Sequence, residues 1–135
     1  MKKFIGIFIV LLVLSVSLSA CGSAGSPTTL DVTMTDFHYT PSEIVIPAGK
    51  EITLNIKNDG AIGHEFVIMK YGTSAGDAFG PEDEDNVFWE VELDAHDSKS
   101  VKFTAPSEVG AYEVVCGTPG HLKAGMKADL TVAAK

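Results

Sequence analysis

Arginine is absent from this chain of 135 residues, and lysine alone supplies its 10 cationic side chains against 18 carboxylates. The formal net charge is −8. A phosphate-binding surface needs a basic patch, so this balance disfavours nucleic acid, and none is expected as a partner. Cysteine is scarce too, at two residues, which allows one disulfide at most. Long segments of 3.6-residue apolar period are missing, as are internal repeats. That excludes a helical bundle or a solenoid.

One long apolar run does occur, at the N-terminus. Lys2 and Lys3 precede an almost wholly apolar stretch from Phe4 to Leu14, and Leu18-Ser19-Ala20-Cys21 follows. This is the pattern of a secretory signal peptide over residues 1–20, short for a membrane span and with small residues before the cut. Leu-Ser-Ala-Cys also fits the bacterial lipobox, after which the cysteine is lipidated and becomes the mature N-terminus. Cys21 is then the lipidation site, and residues 21–29 form a lipid-anchored flexible tether rich in small residues. The competing readings are an ordinary signal with an incidental Cys21, and an uncleaved N-terminal anchor. The expected location is the outer face of the cytoplasmic membrane or the periplasm of a bacterium. Loss of Lys2 and Lys3 takes the net charge from −8 to −10. With Cys21 lipidated, Cys116 is left unpaired in an oxidising compartment, where such a thiol is reactive or ligated. A Cys21–Cys116 disulfide is the alternative, and it would remove the thiolate from the best-formed motif of the chain.

Residues 30–135 make one domain of about 105 residues, enough for a single two-sheet core. Apolar residues alternate along short stretches. Val32 and Met34 share a face, as do Ile44 and Ile46, and then Ile52, Leu54 and Ile56. His64, Phe66 and Ile68 follow, then Val87, Trp89, Val91 and Leu93. Val101 with Phe103, Tyr112 with Val114, and Leu130 with Val132 complete the series. The spacing predicts an all-β, Greek-key sandwich of about eight strands. Trp89, Met34 and Met69 are expected to pack in the core, and His38 and His96 to lie exposed near turns. Residues 70–86 are expected to form a loop with at most a short helix. Within it, Glu82-Asp83-Glu84-Asp85 reads either as a solvated loop or as a docking patch for a basic partner.

The chemistry concentrates in the run from Cys116 to Met126. Cys116 ends an apolar strand, His121 stands five residues on, and Met126 five further. A thiolate, an imidazole and a thioether are three of the four donors of a trigonal copper site, which takes two His, one Cys and a weak axial Met. At this composition the spacing arises by chance roughly once in a thousand trials. Pro119-Gly120 turns the chain so that His121 can face back, and Gly125 turns it again before the last strand. His64 is the candidate fourth donor, after the turn signal Asn58-Asp59-Gly60 and a loop that could carry it to the end of a sheet. Soft sulfur selects copper, and the set points to electron transfer rather than hydrolysis.

The loop, His64 and the strand pattern resemble the cupredoxins, the type 1 blue copper proteins, with a Cys-four-His-four-Met loop most like the auracyanin and sulfocyanin types. The resemblance covers roughly residues 30–134. It implies a sandwich with one Cu(II)/Cu(I) ion near one end, held by His64, Cys116, His121 and Met126. Gly63 matches the position whose carbonyl makes a weak metal contact in some members. The resemblance also implies that His121 is the ligand nearest solvent, where electrons enter and leave. Two positions depart from the pattern. Many members carry Asn after the first His and Ser or Thr after the Cys, tying the ligand loops together. Here Glu65 and Gly117 stand there, and the tie is expected either from Glu65 accepting backbone N–H bonds or from Thr118 as a substitute.

The expected function is a monomeric, membrane-tethered electron carrier and not an enzyme. Its expected partners are redox proteins, such as a basic c-type cytochrome or a membrane oxidoreductase. The alternative is a periplasmic or extracellular copper delivery or storage protein. That role favours several exposed Met or His donors, and the spare ones here are scattered. A metal-free structural sandwich would leave the Cys-His-Met loop unexplained.

Overall fold

A computed structural model describes residues 25–134. The expected signal segment, Cys21 and the first part of the tether lie outside the described residues. The alternating stretches become β1 (Thr29–Thr35), β3 (Glu43–Pro47), β4 (Glu51–Asn58), β5 (His64–Met69), β6 (Val87–Leu93), β7 (Ser98–Thr104), β8 (Gly110–Val115) and β9 (Lys127–Ala133). A ninth strand, β2 (His38–Thr40), was not expected. It has three residues, too few to show a period, and it pairs with the end of β1 through Thr33–Thr40, Met34–Tyr39 and Thr35–His38.

The strands form two sheets, ordered β2-β1-β4-β7 and β3-β9-β8-β5-β6. β1 runs parallel to β4 and β3 parallel to β9, and the remaining pairs are antiparallel. The chain crosses between the sheets repeatedly, as a Greek-key sandwich requires. Between them lie Val32 and Met34 of β1, the Ile52-Leu54-Ile56 face of β4, Ile44 and Ile46 of β3, Phe66 and Ile68 of β5, and Leu130 and Val132 of β9. Full burial of each such side chain is worth about 1.5–3 kcal/mol. Trp89 belongs to the rim of this core. It lies on the edge strand β6, only half-buried, and stacks on Phe103 at 4.5 Å between ring centroids.

Segment 70–86 covers the outer face of the second sheet. Val67, Met69, Ala75, Val115 and Leu122 form a second apolar cluster, with Phe79 and Val87 packed against it. β5 is therefore buried on both faces, and Met69 packs here rather than between the sheets. The segment contains one short 3-10 turn, Glu84–Asn86. Asp83 is buried at 7% exposure and accepts a bond from the Gly80 N–H (2.9 Å). It braces the loop, so the acidic run is not four equivalent surface charges. His38 and His96 are exposed, as expected.

Strand direction fixes where the ends of the chain sit. β1 pairs in parallel with β4 from Thr29–Thr53 to Met34–Asn58, and Asn58 leads into the loop that delivers His64. The last residue of β1 thus lies at the His64 end of the sandwich. Seven residues at about 3.3 Å each place Thr29 roughly 20 Å away, at the opposite end.

Candidate metal centre

β8 and β9 are neighbours, and the loop between them is held shut by its own backbone. The Cys116 N–H donates to Met126 O (3.2 Å), Met126 N–H to His121 O (3.0 Å), His121 N–H to Thr118 O (3.1 Å) and Ala124 N–H to Gly120 O (3.0 Å). Gly120 and Gly125 take φ of 85° and 101°, the left-handed region in which a Cβ is strained. The two turns expected at these glycines are present. Cys116, His121 and Met126 are all buried, and Met126 is hydrogen-bonded through its backbone to both other residues.

His64 arrives by a different route. Asn58, 1% exposed, ends β4 and organises the loop that follows. Its Nδ2 reaches Ile62 O (2.8 Å), Leu93 O (3.2 Å) and Asp94 O (3.1 Å), and its Oδ1 accepts from Gly60 N–H (2.9 Å). The sequence marks Asn58-Asp59-Gly60 only as a turn; the side chain of Asn58 also pins the start of β5 against the end of β6.

The two routes meet. His64 Nδ1 lies 3.1 Å from His121 Nδ1, Cys116 Sγ lies 3.4 Å from His121 Nδ1, and Sγ lies 3.9 Å from His64 Nδ1. These three are the metal-capable cluster among the described residues, and all are buried. The centre of that triangle is roughly 2 Å from each corner, the length of a metal–nitrogen bond. Two imidazoles and one thiolate in a trigonal set fit copper. Burial, and then the neighbouring His64, hold the His121 imidazole below its ordinary pKa, with Asp36 pulling the other way. That direction favours the neutral ring, the form that binds a metal.

The two departures from the family pattern prove to be one feature. A Cβ on residue 117 would collide with the Glu65 carboxylate and lie 3.3 Å from Phe79. Glu65 fills the space beside Cys116, and glycine at 117 leaves room for it. The loops are tied by other groups. Thr118 Oγ1 donates to the Gly63 carbonyl (3.4 Å), and the Glu65 N–H points to Cys116 Sγ (3.4 Å). Among the described residues the Glu65 carboxylate has no backbone N–H partner. Burial raises its pKa, helped by Glu92, Glu90 and Glu84.

Three further residues at the site carry no sequence motif. Tyr39, on the unexpected β2, is 4% exposed and donates its hydroxyl to Glu65 O (2.5 Å). Burial, then the Cys116 thiol, keep this phenol protonated well above its ordinary range. Phe37 sets its ring edge-on to His121 at 5.2 Å. Asp36 Oδ1 lies 3.1 Å from His64 Nε2. All three sit at the β1–β2 hairpin, far from both motifs in sequence. A short strand next to an acid and an aromatic gives no signal that would have found them.

Comparison with known proteins agrees with this geometry. The family model described as Cupredoxin-like domain matches residues 7–132. Auracyanin-A of Chloroflexus aurantiacus is 28% identical over 141 residues, covering 83% of this chain and 86% of its own length. The dithionite-reduced auracyanin of Roseiflexus castenholzii superposes with a TM-score of 0.68 at 30% identity, covering 81% of this chain and 99% of its own. The structure of auracyanin A, a "blue" copper protein from Chloroflexus aurantiacus, gives a TM-score of 0.63 at 26% identity, over 78% and 98% of the two chains. A sandwich that gathers imidazole, thiolate and imidazole at its end therefore has relatives of the same build, and this chain belongs to the cupredoxin family, with copper as its cofactor.

Proposed function

We propose that the chain is a tethered blue copper electron carrier in which His64, Cys116 and His121 would hold one copper, with the buried thioether of Met126 as the candidate fourth donor. The observation that carries the reading is the convergence of three buried donors, from two separate loops, at one-metal spacing. Copper bound there supplies a Cu(II)/Cu(I) couple that accepts and returns a single electron. The residues provide the rest. Their positions are set by strand ends and by a self-bonded loop, so the fold itself holds the donors in one arrangement. Their burial excludes water. It also disfavours the delivery or storage reading, which needs donors open to exchange. His121 is the more exposed of the two imidazoles, at 5% against 0% for His64. Exposed Phe37 beside it and exposed Ile62, in the loop that carries His64, offer apolar contact to a redox partner.

The tethering part of the proposal rests on the N-terminal sequence, Leu18-Ser19-Ala20-Cys21 above all. A lipidated Cys21 and the seven residues before β1 span at most about 28 Å. Such a tether would leave from the end of the sandwich remote from the donors, so the metal would face away from the membrane. Detergent partitioning should be lost in Cys21→Ser, or processing blocked. An unmodified mature N-terminus beyond residue 21, by mass spectrometry, would end the lipid reading.

A basic redox partner is the third part of the proposal. Glu65, Glu84, Glu90 and Glu92 line one cleft on the flank next to Cys116. Acidic fields of this kind steer basic partners and raise association rates. The electron-transfer rate with a basic cytochrome should fall as salt rises, since exposed charges are screened beyond about 10 Å at 0.1 M. Glu84, Glu90 and Glu92 replaced by Gln should flatten that dependence. Stopped-flow rates indifferent to both would leave the copper carrier without this docking face.

A further inference from the structure

We propose that Asp36 is a positioning residue for the copper centre: its carboxylate fixes the tautomer of His64 and biases the site toward Cu(II). The inference rests on His64 being a copper ligand. His64 turns Nδ1 toward Cys116 and His121, so Nε2 is the nitrogen left to hydrogen-bond outward. It faces Asp36 Oδ1 at 3.1 Å. A carboxylate only accepts, so Nε2 carries the proton and Nδ1 keeps its lone pair for the metal. A histidine so paired is a stronger donor, because the carboxylate balances positive charge that the metal draws from the ring. Cu(II) draws more than Cu(I), so the pairing stabilises the oxidised ion and lowers the potential.

The contact is built rather than incidental. Asp36 Oδ1 also accepts the Ala61 N–H (3.1 Å), from the loop that carries His64. Residue 60 is glycine, where a Cβ would lie 2.6 Å from both Asp36 Oδ1 and His64 Nε2. Any side chain there would part the pair. Phe37, next in sequence, holds φ at 68°, uncommon for an aromatic residue, and presents its ring to His121. One turn thus reaches both imidazoles. The Asp36 side chain is 44% exposed and His64 is fully buried, so replacing the acid leaves the core intact.

The test uses the full chain. Asp36→Asn and Asp36→Ala are compared with Asp59→Asn, which removes a charge from the loop that carries His64 without touching that ring; Asp59 pairs instead with Lys57 at 2.7 Å. Nitrogen-15 NMR of the metal-free protein should show His64 as the Nε2–H tautomer in wild type and as a mixture in Asp36→Ala. Competition titrations with Cu(II) and Cu(I) should show Cu(II) affinity falling about 10- to 100-fold in both Asp36 variants. Cu(I) affinity should fall less. Each tenfold change in the ratio of the two raises the potential by about 59 mV for a one-electron couple. Asp59→Asn should change neither tautomer nor ratio. The inference is overturned if wild type binds copper with an intense thiolate band and the Asp36 variants match Asp59→Asn in both measurements. Wild type that fails to bind copper would instead overturn the ligand assignment beneath it.

Discussion

The two halves of the metal site are built in opposite ways. The 116–126 loop is a local device. Its three functional side chains lie within eleven residues, its hydrogen bonds close on themselves, and its bends are set by glycines at positive φ. His64 is held by residues scattered along the chain: Asn58 and Gly60 before it, Leu93 and Asp94 across the sheet, and Asp36 from another strand pair. The local half needs little of the fold to take its shape. The dispersed half exists only once both sheets have assembled. A compact motif can therefore announce a metal site, while the contacts that tune it are spread through the topology.

Removing the pin of the dispersed half should have the largest effect on stability. Asn58→Ala would strand the Gly60 N–H and up to three carbonyls in a buried place, at about 1–3 kcal/mol for each group left unpaired. Urea unfolding of the metal-free protein should show a loss of roughly 3 kcal/mol or more. Gly125→Ala, in the local half, strains one φ and should cost about 1–2 kcal/mol. A larger loss in Gly125→Ala than in Asn58→Ala would invert the comparison.

A smaller effect should appear where the halves touch. Gly117→Ala pushes a methyl group into the Glu65 carboxylate and should destabilise by on the order of 1 kcal/mol. Most of that cost should vanish when Glu65 is already Ala. The coupling free energy of the cycle should then be about 0.5–1 kcal/mol, and strict additivity would mean that the two departures are unrelated.

The smallest effect is with pH. The His121 pKa is lowered on folding by burial and by His64, so the unfolded chain binds the proton more readily. The metal-free fold should then hold its full stability above the unfolded His value of about 6.5 and lose some as pH falls through and below it. His121→Gln should remove part of that slope, read from denaturation midpoints at pH 7.5 and 5.

Legibility in the sequence followed the same division. The eight strands with visible alternation appear where the pattern put them, because each turns one apolar face toward the space between the sheets, β5 burying its other face as well. β2 escaped because three residues show no period. Cys116, His121 and Met126 were marked by spacing, but His64 needed the family resemblance, since one histidine on a strand is not distinctive. Glu65 and Gly117 stood out singly, and their complementarity is a matter of where one carboxylate lies in space. Asp83 looked like part of a charged surface and turned out to brace a loop, because a run of acids does not say which member folds inward. Asp36, Phe37 and Tyr39 reach the site only through the hairpin of β1 and β2.

The central claim is that two loops bring one thiolate and two imidazoles onto a single copper. Titration of Cu(II) into the full chain, followed by visible absorption, tests it most directly. An intense thiolate-to-copper band should saturate at one equivalent and be absent in Cys116→Ser, whose neutral hydroxyl cannot replace the thiolate. A band that survives in Cys116→Ser, or wild type that takes up copper with no such band, would contradict it.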